Sequence, residues 1–223
     1  MRASALALSV LLLAPAARAA PLSDDPGRGH YLMAPTAFLL RGGEAVLAQT
    51  EVFLSSATVG IADHVDLTAG SAVPALRAAG ADTSNLELGL KAGFSPTRLV
   101  HLAAGFESLS FPGATAGFTF GVVTYGRESL NASVGMGLPA LIAANAPGFG
   151  PMFTYFGGTV ALGRHFALAT ENWWFPTRPS LPFVNAGLAR VMLWRLSLGV
   201  GAVRIAPLRI PLPWVELSMR VFG

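Results

Sequence analysis

Apolar and polar positions alternate along most of this chain. In 86–94 one face carries Leu86, Leu88, Leu90, Ala92 and Phe94, and the other carries Glu87, Gly89, Lys91 and Gly93. A period of two is that of a strand whose faces meet different surroundings. The division recurs in 65–73, where Val65, Leu67 and Ala69 oppose Asp66, Thr68 and Gly70, and again in 130–138, 196–202 and 215–221. Twelve such runs predict strands over 31–40, 44–61, 65–73, 86–94, 99–109, 116–125, 130–138, 150–162, 166–175, 181–192, 196–205 and 212–222. Their connections alternate between short ones, around Asp63, 95–98, 127–129, 164–165 and 194–195, and mostly longer ones, at 74–85, 139–149, 176–180 and 206–211. The turn at 41–43 is the exception, short on the rim of long loops.

Composition decides which face meets what. The 223 residues are 52% hydrophobic and 12% charged, with a mean hydropathy of +0.54. A soluble sandwich needs charged outer faces well above that proportion. A helical membrane protein fits no better, because the charge-free stretch 129–163 carries Pro139, Pro147 and seven glycines. The fold class expected is therefore all-β: an antiparallel transmembrane β-barrel of about twelve strands, with the apolar face toward lipid and both termini on the short-turn, periplasmic side.

The first residues read as an export signal. Arg2 precedes an apolar core from Leu6 to Leu13, and Ala17-Arg18-Ala19 supplies the small residues of a cleavage site. The division expected is a signal peptide over 1–20, a flexible polar lead-in over 21–30 containing Pro26, Gly27 and Gly29, and the barrel over 31–223. Removing Arg2 and Arg18 from 15 bases leaves 13 against 12 acids, with one lysine and no basic cluster, so a nucleic-acid partner is not expected. The partners expected are outer-membrane lipid, the barrel-insertion machinery during biogenesis and small polar solutes.

The segments Tyr31-Leu32-Met33-Ala34-Pro35-Thr36-Ala37-Phe38, Gly43-Glu44, Val59-Gly60-Ile61-Ala62-Asp63 and Thr170-Glu171-Asn172-Trp173 resemble an uncharacterised group of exported bacterial outer-membrane β-barrel proteins. The resemblance implies a fold and a location, and brings no activity or catalytic residues. Barrels of this kind commonly end on an aromatic residue. Here Phe222 is penultimate and falls in the polar phase.

Strand phase aims Glu51, Asp66, Glu87, Glu107, Glu171 and Glu216 inward, together with Lys91, His101, Arg190 and Arg220. Tyr155, Trp173, Trp174 and Trp214 are expected as rim aromatics at the membrane interface. No catalytic or metal constellation and no cofactor is expected: the chain has no cysteine and its four histidines are scattered. Glycine recurs on the polar face, at Gly70, Gly89, Gly93, Gly105, Gly121, Gly135, Gly137, Gly157, Gly199 and Gly201. Such residues either open a narrow hydrated lumen or serve strand curvature. Two function classes follow for a non-enzymatic protein: a narrow pore or small-solute cavity, and alternatively a structural barrel with a plugged lumen. A soluble periplasmic β-protein and a barrel enzyme acting on lipid stand behind them.

Overall fold

The computed structural model describes residues 25–51, 54–71, 85–143, 148–176, 183–206 and 210–223; the expected signal segment 1–20 lies outside them. The strands are β1 (Ala45–Thr50), β2 (Leu54–Ile61), β3 (Val65–Ser71), β4 (Leu86–Phe94), β5 (Val100–Phe111), β6 (Ala114–Arg127), β7 (Leu130–Ala143), β8 (Gly148–Phe149), β9 (Phe153–Ala161), β10 (Phe166–Trp174), β11 (Phe183–Leu193), β12 (Leu196–Ile205) and β13 (Leu212–Phe222). Each pairs antiparallel with its neighbour, and β1 closes the ring against β13, with Leu47 opposite Met219 and Thr50 opposite Glu216. The two-residue β8 only pairs with the far end of β7, which pairs along its length with β6 and, over Leu130–Gly137, with β9. Twelve strands, β1–β7 and β9–β13, thus form a closed barrel, with no helix among the described residues.

Two expectations about its start are corrected, and they offset each other in the count. Residues 31–40 form no barrel strand, and the run 44–61 is two strands joined at Glu51. Glu51 turns the chain by adopting a φ of +52°, and its N–H donates to the Val215 carbonyl at 2.7 Å. The turn at 41–43 also changes rim. Gly42 N–H donates to Asp63 Oδ1 at 2.5 Å and Gly43 N–H to the Gly60 carbonyl at 2.9 Å, so it joins the rim of short turns at 62–64, 95–99, 128–129, 162–165 and 194–195.

The usual distribution of polarity is reversed. Glu171, Arg190 and Glu216 are 0%, 1% and 2% exposed, whereas Leu88, Leu198 and Leu217 are open on the outside. A closed ladder leaves no backbone edge unpaired, which is what hydrocarbon requires of a spanning sheet. At the C-terminus Val46 faces Arg220 while Ala45 faces Phe222, so β13 gains one residue at Val221. This bulge turns Phe222 out of the inward phase assigned by counting and leaves it exposed.

Candidate functional site

Inward-facing polar side chains converge on residues 25–44, which run through the short-turn half of the lumen. Residues 25–30 were expected as a flexible lead-in, yet Asp25 and Arg28 are buried there. The segment is held by hydrogen bonds from the wall. Glu171 Oε2, on β10, accepts three consecutive backbone N–H groups, from Leu32 and Met33 at 2.9 Å and Ala34 at 2.8 Å. Its Oε1 accepts the Trp173 indole N–H at 2.9 Å. Successive amides converging on one carboxylate form an anion nest, here occupied by the barrel itself. Tyr31 reaches β7, donating to Asn131 Oδ1 at 2.8 Å and lying 2.6 Å from Ser133 Oγ. Ala37 N–H donates to Thr124 on β6 at 2.8 Å, Leu40 N–H to Asp66 on β3 at 3.0 Å, and Tyr155 on β9 to the Pro35 carbonyl at 3.2 Å.

Charged groups complete the attachment. Arg190 Nε donates to Glu216 Oε1 and its Nη1 to Asp25 Oδ2, both at 2.8 Å, while Nη2 donates to the Tyr31 carbonyl at 2.7 Å. Lys91 Nζ lies 3.3 Å from Asp66 Oδ2 and donates to the Phe38 carbonyl at 2.7 Å. At the base, Arg28 grips both oxygens of Glu44, and Arg220 Nε lies 2.8 Å from Glu44 Oε1. Burial pushes the Glu44 carboxyl up, but the bonds from Arg28 and the Arg41 N–H and the nearby guanidinium charges outweigh it and hold the group below its ordinary range. These buried charges are paired or hydrogen-bonded, as burial demands.

Rings carried by the wall on and just beyond β6, β9 and β10 pack against the segment. Phe118, Phe120, Phe153, Tyr155, Trp173 and Phe175 form one contact network with centroids 5.0–6.5 Å apart. Tyr155 and Trp173, expected at the membrane interface, are therefore buried inside, and Trp214 packs against the same core. Trp174 faces outward. Several inner-wall glycines make room for these groups. A Cβ at Gly135 would enter the Tyr155 ring, one at Gly137 the Phe153 ring, one at Gly157 the Tyr31 ring and one at Gly199 the Glu216 side chain. Gly121 is on the outward face, opposite Ala104 and Met136.

Of the charges assigned inward by phase, Glu51 instead lies in the β1–β2 turn, where its carboxylate accepts the Val215 N–H. Asp66, Lys91, Glu171, Arg190, Glu216 and Arg220 are brought together around the N-terminal segment by the contacts above. Glu87 and Glu107 lie on the inner face nearer the other rim and have no hydrogen-bonding or ion-pair partner among the described residues. His101 Nε2 donates to the Gly126 carbonyl at 3.1 Å, since a carbonyl only accepts, and its Nδ1 lies 2.7 Å from Ser95 Oγ. No group of three or more histidine and carboxylate side chains among the described residues is placed to hold a metal ion. Asp25, Arg28 and Glu44, which the phase argument missed, are central to the plug. For Asp25 and Arg28 the sequence signal was charge beside Gly27 and Gly29 in a stretch without alternation; Glu44 stood only in the Gly43-Glu44 pair of the resemblance.

No family model matches the chain, and no curated protein matches it. A solved structure of the KdgM porin in complex with disordered oligogalacturonate superposes with a TM-score of 0.57 at 7% identity, covering 79% of this chain and 97% of that one. The two chains share a fold, a closed antiparallel barrel. A second solved chain, the Acinetobacter baumannii outer membrane protein Omp33, aligns with a TM-score of 0.41 at 10% identity, covering 81% of this chain and 96% of that one.

Proposed function

We propose that the protein is an outer-membrane pore for small polar solutes, held closed by its own N-terminal segment. The observation that carries this reading is the Glu171 nest: the segment is docked through polar bonds to a charged wall, and water can replace such bonds on release. A permanently filled barrel could use apolar packing alone. The apolar outer belt supports the membrane location, and the fold shared with the KdgM porin supports the pore. With the segment released, the strand wall keeps five acids, Asp66, Glu87, Glu107, Glu171 and Glu216, against three bases, Lys91, Arg190 and Arg220. That balance favours neutral or cationic solutes over anions. KdgM was solved with oligogalacturonate; a saccharide is the solute class to try first.

The test is liposome swelling with neutral sugars of graded size, comparing the mature chain with a Glu171→Ala variant. Slow or absent swelling for the parent and size-limited swelling for the variant is expected. Equal, fast swelling for both would overturn the closed state, and recovery of the native protein in the soluble periplasm would overturn the membrane location.

A further inference from the structure

A second feature lies on the opposite face of the wall. Along one register row the outward residues are Val65, Ala92, Ala104, Gly121, Met136 and Thr154, on six adjacent strands. Larger side chains rise on both sides, Phe106 toward one rim and Phe94 and Val123 toward the other, and all three are exposed. Between them runs a groove of about 760 Å³. A Cβ at Gly121 would touch nothing within 4 Å, so the groove floor is open to the outside.

Its course is oblique. Val65 is the first residue of β3 at the short-turn rim, Ala92 is two residues from the end of β4, Ala104 four residues into β5, and Gly121 six from the end of β6. Five strand spacings of about 4.8 Å make it about 24 Å long. At a strand tilt near 40° it climbs about 15 Å, close to the depth of one leaflet. His64 lines its mouth, and the neighbouring 95–99 turn presents Arg98, exposed and with no bonded partner among the described residues. An apolar trough of leaflet depth, opening beside the guanidinium of Arg98 and the imidazole of His64 at the rim, matches the charge and shape of a phospholipid.

We infer that this groove holds one phospholipid of the periplasmic leaflet, its acyl chain lying along Ala92, Ala104 and Gly121 and its phosphate at His64 and Arg98. The site rests on the membrane location but is independent of the plug. A snug lipid here replaces the side-chain packing that three small residues withhold from the outer surface.

The test is native mass spectrometry of the intact mature protein in mild detergent, titrated with phosphatidylglycerol and, separately, with uncharged diacylglycerol. One phosphatidylglycerol is expected to survive activation that strips the rest. Ala104→Leu with Gly121→Leu, which fills the trough, is expected to abolish that retention, whereas Ala189→Leu, outward on β11, leaves it intact. Arg98→Gln is expected to weaken it about fivefold, the effect of one surface cation at an anionic lipid. Ala104→Leu alone serves if the double variant does not insert, with heat-modifiable migration as the check on folding. Unchanged retention in the filled variant overturns the site, equal retention of diacylglycerol overturns the phosphate contact, and a dimer abolished by filling assigns the groove to a second copy of this chain. Loss of heat-modifiable migration by the parent would instead count against the membrane reading.

Discussion

Replacing Glu171 by glutamine removes one charge at nearly constant size and so isolates the nest that docks the N-terminal segment. Glu171 accepts three amides of Leu32, Met33 and Ala34 within 2.9 Å. Hydrogen bonds to an ionised acceptor contribute about 1 kcal/mol more than neutral ones, so three of them amount to about 3 kcal/mol. That corresponds to roughly a hundredfold rise in the undocked population. The chain has no cysteine, so a single Ala34→Cys can be followed against a clean background. Ala34 is fully buried in the docked state, and labelling by a hydrophilic maleimide then reports release. A labelling rate about a hundred times faster in the Glu171→Gln background is expected. A rate within threefold of the parent would refute docking through Glu171.

Adding a methyl at Gly135 drives it into the Tyr155 ring, so Gly135→Ala should lower stability by about 1–3 kcal/mol, as overpacking does. Gly121→Ala, facing open space, should be neutral in the same heat-modifiability assay. The Glu44 carboxyl, at the foot of β1, is held below its ordinary range. It therefore contributes stability that is complete above the unfolded value of about 4.3 and lost as pH falls through the folded one. Maleimide labelling at Ala34→Cys should accelerate below about pH 4, and Glu44→Gln should flatten that dependence. In a barrel lacking the plug, Glu87→Gln with Glu107→Gln should move the reversal potential toward neutrality, since neither carboxylate is held in a hydrogen bond or ion pair among the described residues; an unmoved potential in a conducting variant would take them off the conduction path.

Phase was legible wherever a strand had two unlike faces. The inward placement of Asp66, Glu171, Arg190 and Glu216 follows from counting by twos, because lipid tolerates none of them outside. Turns without glycine or proline were not legible: Thr50-Glu51 reads as the middle of one long strand until Glu51 is seen at positive φ. Residues 31–40 have the apolar content of a strand, but their partners are side chains of distant strands, and alternation carries no information about such contacts. Glycine was ambiguous for a related reason. A missing side chain marks room on the wall, and only the three-dimensional neighbours tell whether Tyr31, Tyr155 and Phe153 or water fills it. Trp173 and Tyr155 show the same limit, since an aromatic near a strand end suits a membrane interface and a lumen core equally well by sequence.

Single-channel recording in a planar bilayer, comparing the mature chain with the same chain lacking residues 25–41, tests the closed pore most directly. Both should be confirmed as heat-modifiable barrels first. A mostly silent intact protein and a deletion variant with frequent, discrete conductance steps is the result expected of a lumen closed by its own N-terminal segment. Steps of equal size and frequency in both, or silence in a correctly folded deletion variant, would contradict it.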